Sequence, residues 1–144
     1  MPTPPPDSFF DLSSALTGFT VQTLKFAQQN ADFYGAFRSI YGAVEFDALM
    51  SAYADITAQG DTGADLAKSV LADGSTVAET ARALMVFWYL GQIAPGGKGA
   101  MQIPTANHYA QGLAWRAVQA HPTGVSTLQF GYWASPPPPL EDFL

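Results

Sequence analysis

The side chains able to carry chemistry are few in this 144-residue chain. Its two histidines, His108 and His121, each lack a second histidine or a cysteine at metal-ligand spacing, so a structural or surface role is the ordinary reading for both. There are no cysteines, which excludes disulfides, thiolate metal sites and cysteine nucleophiles and leaves the redox compartment open. "PGGKG" offers Lys98 among glycines but lacks the GxxxxGK[ST] spacing that lets backbone amides cradle a phosphate, and it reads as a flexible linker. Serines sit in no nucleophile-elbow motif. The carboxylates Asp61 and Asp65 fall in a solvated loop and helix start rather than as an acid–base pair.

The aromatic side chains raise a different possibility. "LMVFWYLGQ" places Phe87, Trp88 and Tyr89 side by side with no charge among them. Successive helical residues point about 100° apart, so these three cannot share one inward face, and at least one is expected to project toward a partner. Trp88 and Trp115 fit core and interface equally well, and Arg116 directly follows Trp115. Trp, Tyr and Arg concentrate at binding hot spots. The C-terminal stretch holds Phe130, Tyr132, Trp133 and Phe143 with too much Gly and Pro for a helix, so Tyr132 and Trp133 read as interface anchors before core.

Composition narrows the class of partner. The net charge is -6 and the six Lys and Arg are scattered, which argues against nucleic acid and against a basic membrane-binding patch. Charged residues are 12% of the chain against about 25% in ordinary globular domains. Between residues 83 and 140 only Lys98 and Arg116 are charged, as if that half were covered. Gly91, Pro95 and the following glycines interrupt the apolar run, so no membrane-spanning helix is expected.

These side chains must be positioned by an all-α domain, a compact bundle of about five to six helices. Its length suits one domain that buries roughly 68 to 70% of its unfolded surface. "MPTPPPDSFF" reads as a Pro-rich arm over residues 1–10, with Asp11 or Ser13 capping a first helix that stops near Gly18. Helical spacing predicts one helix from Leu24 to Tyr41 and an amphipathic helix through "EFDALMSAYADI". A short helix over "GADLAKSVLADG" follows. Thr76 and Glu79 open a capping-box helix to Leu90, stopped by Gly91. Thr105 or Asn107 starts the last helix, closing at His121 and Pro122, so the helical domain is expected over 11–122. Residues 123–144 are expected as an extended aromatic and Pro-rich tail, and 127–144 as a strap docked on a partner. No twin-arginine or apolar signal region precedes "MPTPPPD", so any export signal is expected to have been removed or to belong to another chain.

"LSSALTGF", "ARALMVFWYLGQ", "YAQGLAWRAVQAHPTG" and "FGYWASPPP" occur in the order found in the small subunits of membrane-bound FAD-dependent sugar and polyol dehydrogenases, and from about Phe9 to Pro137 the chain resembles that D-sorbitol, fructose and glucose dehydrogenase small-subunit family. The resemblance implies a noncatalytic helical subunit that binds, stabilises and escorts a large flavoprotein of the glucose-methanol-choline oxidoreductase type. It places FAD, in some members an iron–sulfur cluster, on that large partner and haem c on a multihaem cytochrome subunit. It also implies a periplasmic, membrane-associated complex in which this chain holds no cofactor, inserts no segment of its own into the bilayer and has no cysteine for an intersubunit disulfide. On that view the partner-binding residues are Phe87, Trp88, Tyr89, Trp115, Arg116, Phe130, Tyr132 and Trp133. The alternatives are a free-standing helical binding module for an apolar small molecule and, more distantly, a self-sufficient enzyme.

Overall fold

The computed structural model describes residues 3–60, 63–72, 76–120 and 139–144, and over these the protein is an all-α fold. Helix α1 spans Asp7–Thr17 and begins directly after Pro6, whose extended φ of -70° and carbonyl bonded to the Phe9 amide lead the chain into the first turn. Asp7 lies in that turn, where a carboxylate complements the helix dipole. Neither Asp11 nor Ser13 is the cap. The arm expected over residues 1–10 therefore ends at Pro6, and Phe9 and Phe10 belong to the core. Gly18, at φ 82°, ends α1 as expected.

The single helix expected over Leu24–Tyr41 is two. Helix α2, Val21–Asn30, is capped by the Thr20 hydroxyl accepting from the Thr23 amide. Ala31 is extended, and Asp32 then accepts the Gly35 amide at 2.9 Å to start α3, Phe33–Ile40. The side-chain cap offers backbone donors a second set of acceptors, which lets the chain turn and bring Phe33 inward.

Helix α4, Ala43–Ala58, carries the amphipathic stripe read from the sequence, with Phe46, Leu49 and Tyr53 buried. Helix α5 spans Gly63–Ala72 and α6 spans Thr76–Leu90. Helix α6 is the centre of the molecule, packing against α1, α3, α4, α5 and α8. Gly91 stops it at φ +67°, and no side chain fits there: a Cβ would lie 2.6 Å from the His108 carbonyl oxygen.

The last helix expected from Thr105 or Asn107 to His121 is also divided, into α7 (Ala106–Ala110) and α8 (Leu113–Ala117). Thr105 caps α7. The break falls at Gly112, where a Cβ would stand 2.7 Å from the Tyr89 carbonyl oxygen, so the absence of a side chain lets the chain pass against the end of α6. "APGGKG" is a hydrogen-bonded turn rather than a linker: Ile93 and Gln102 form an antiparallel bridge around it.

Residues 139–144 fold back on the domain. Leu140 and Phe143 pack against the core, and the Phe143 carbonyl accepts the Thr20 amide at 2.9 Å. That end of the expected strap is thus part of the fold, while the segment 121–138, with His121 and most of the aromatic tail, lies outside the described residues.

Candidate interaction surface

Two consecutive members of the aromatic trio point into the protein. Trp88 is fully buried, stacked on Phe33 with ring centroids 4.5 Å apart and planes at 16°, and its indole Nε1 donates to the buried Ser13 hydroxyl at 3.0 Å. Phe87, also fully buried, faces Phe33, Phe37 and the His108 ring. Both were expected at a partner interface; with no exposed surface they are core instead. The 100° argument holds, but the protein's own helices occupy the directions it opened.

Tyr89 takes a third direction, with its ring edge-on to Phe19 and its hydroxyl donating to the Thr17 carbonyl at 2.6 Å. Burial pushes the Tyr89 phenol above its usual range. It remains partly exposed at the junction of α1 and α2.

His108 completes the interior rather than a reactive centre. Nδ1 lies 2.8 Å from the Thr105 hydroxyl and Nε2 3.1 Å from the Asp32 carbonyl. A carbonyl can only accept, so Nε2 carries a proton. Both nitrogens are engaged, and the ring ties α7 to the start of α3. Among the described residues no cluster of three or more His, Cys, Asp or Glu could hold a metal ion.

Trp115 and Arg116 sit at the surface end of the assembly. The Trp115 indole donates to the Tyr109 carbonyl at 2.9 Å, and its ring meets Tyr109 edge to face. The Arg116 guanidinium lies 5.9 Å from the Phe26 ring centroid and 5.7 Å from that of Phe143, with Gln111 as its hydrogen-bond acceptor. Burial lowers its pKa, and among the described residues it forms no ion pair. Phe130, Tyr132 and Trp133 lie outside the described residues.

The most exposed large apolar side chains in this half are ones that the aromatic reading passed over. Val86, Leu90, Met101, Ile103 and Val118 are 37%, 47%, 52%, 42% and 68% exposed. They are five of the eight large apolar side chains so exposed among the described residues, and all lie in the charge-poor half. Val86 and Leu90, four residues apart on α6, share one side of the helix. That i, i+4 pair was visible in "LMVFWYLGQ" but overshadowed by the larger rings between. No described helix is long and apolar enough to cross a membrane.

No family model, curated protein or solved structure matches this chain.

Proposed function

We propose that this chain is a noncatalytic accessory subunit that applies its charge-poor face to a larger protein. The observation that carries the reading is that exposed Val86, Leu90, Met101, Ile103 and Val118 all fall in the stretch 83–140, whose only charged residues are Lys98 and Arg116. Apolar surface gathered in this way marks an interaction site more often than an ordinary monomer surface. Tyr89, Trp115 and Arg116, each partly exposed, edge the same half.

The resemblance in the quoted segments supports a particular partner: a large FAD-dependent sugar or polyol dehydrogenase subunit of the glucose-methanol-choline type. In this proposal the partner supplies FAD, the catalytic residues and the pocket that selects the sugar. A cytochrome c subunit passes electrons onward, and the complex works at the periplasmic face of a membrane. This chain stabilises and escorts the flavoprotein.

Purification of the tagged chain from its own host tests this. The expected result is co-elution with a larger protein that carries visible flavin absorbance and reduces a dye when given sugar or polyol, the pair staying together in concentrated sodium chloride because an apolar contact is little screened by salt. A flavin-free, monomeric chain would contradict it.

A further inference from the structure

Residues 93–102 form a closed loop. Ile93 and Gln102 exchange both backbone hydrogen bonds at 2.9 Å, and inside them the Gly97 amide reaches the Ala94 carbonyl at 3.0 Å while the Gly99 amide reaches that of Pro95 at 3.1 Å. A loop pinched at its ends and bonded within holds one shape, and compact loops of this kind are often functional. Gly97 is required where it stands, at φ +74° with a would-be Cβ 3.1 Å from the Tyr41 hydroxyl oxygen. Tyr41 is itself stacked on the buried Phe37 ring at 4.9 Å, so the loop rests on a wall anchored in the core.

Between this loop and α6 runs a groove of about 450 Å³ with Tyr41, Val86, Ile93 and Met101 among its apolar walls. Its charged groups are Glu79, Arg82 and Lys98. Arg82 donates to the Leu71 carbonyl at 2.9 Å and lies three residues from Glu79 on the same helix, a spacing at which opposite charges are neighbours. Lys98 has no ion-pair partner among the described residues, whose two salt bridges join Lys25 to Asp7 and Arg38 to Asp47. The groove thus offers apolar walls and, in Lys98, a cation with no ion-pair partner among the described residues.

We propose that this groove binds an amphipathic monoanion, its apolar part along Val86, Ile93 and Met101 and its negative head group at Lys98. The volume falls in the range of small-ligand sites, about 300 to 1,000 Å³, which combine apolar lining with a few polar groups that set orientation. A carboxylate and a sulfate monoester share the required chemistry. The groove shares Val86 and Met101 with the face proposed for the partner, and titration of this chain alone tests the site separately from that reading.

The test is titration of the isotope-labelled full chain, followed by amide NMR, with decanoate, decyl sulfate and the neutral decyl maltoside. Decanoate or decyl sulfate should shift the amides of Gly96, Gly97, Lys98 and the Arg82–Val86 turn saturably, and the preferred one identifies the head group. Decyl maltoside should bind about five- to tenfold more weakly. Lys98→Gln should bring the anions to the level of the neutral amphiphile, and Met101→Asp should weaken all three, with spectra elsewhere unchanged. Equal affinity for charged and neutral amphiphiles, shifts centred outside the groove, absence of saturable binding, or indifference to Lys98→Gln would overturn the proposal.

Discussion

On one side of α6, Phe87 and Trp88 have no exposed surface and meet rings from α1 and α3. On the other, Val86 and Leu90 lie 37% and 47% open. The uncharged last turns of one helix, from Ala83 to Leu90, thus serve two ends. Its large rings are used up by the fold, and its aliphatic side chains are left for something else. Size and hydrophobicity do not mark an interface here; what matters is whether a neighbouring helix reaches the same direction.

The largest effect should come from the inner side. Trp88→Ala removes a stacked, fully buried ring and leaves the Ser13 hydroxyl without its donor, so chemical denaturation should show a loss of about 3 to 5 kcal/mol. A loss below about 1 kcal/mol would mean that the ring is not the centre of the core.

Two glycines separate close packing from backbone preference. Both have positive φ, but Gly91 faces the His108 carbonyl while Gly18 faces open space. Gly18→Ala should cost about 1 kcal/mol from the left-handed conformation alone. Gly91→Ala should exceed about 2 kcal/mol because α7 must also move. Equal losses in thermal melts would show that the α6–α7 contact is slack. Phe143→Ala should come next, at about 1 to 2 kcal/mol, a fraction of the cost of a fully buried ring. Unchanged stability there would restore residues 139–144 to a free tail.

A smaller effect is expected from pH. Burial raises the Tyr89 and Tyr53 phenols above 10.0, and Tyr89 donates a proton that tyrosinate lacks. A pKa raised by folding gives stability that is complete below the unfolded value and fades as pH climbs toward the folded one. Denaturation should therefore become easier above about pH 10, and Tyr89→Phe should reduce that alkaline slope. An identical slope in the variant would remove Tyr89 from the account.

Much of this was legible in the sequence. The stripe through Phe46, Leu49 and Tyr53 and the stop at Gly91 predicted α4 and α6 within a few residues. The divisions at Ala31 and Gly112 were hidden because apolar spacing continues across them. What interrupts the helices is Asp32 capping α3 and the approach of Gly112 to the Tyr89 carbonyl, one a local competition and the other a tertiary contact. Phe9 and Phe10 were obscured by the prolines before them. At the surface, the charge-poor stretch 83–140 carries five of the eight most exposed large apolar side chains among the described residues. Which aromatic faces outward depended on where α1, α3 and α7 lie, and periodicity within α6 carries no such information.

The most direct test of the account uses Leu90→Ser with Val118→Ser, two exposed sites that do not line the groove. Melting temperature and affinity for the co-purified partner would be measured on the same protein. Stability should stay within about 0.5 kcal/mol, since these side chains gain little from folding. Affinity should fall about tenfold or more, the loss expected when apolar contacts in an interface are replaced by hydroxyls. Undiminished affinity, or a melting temperature that drops as far as in Trp88→Ala, would contradict the assignment of this face to a partner.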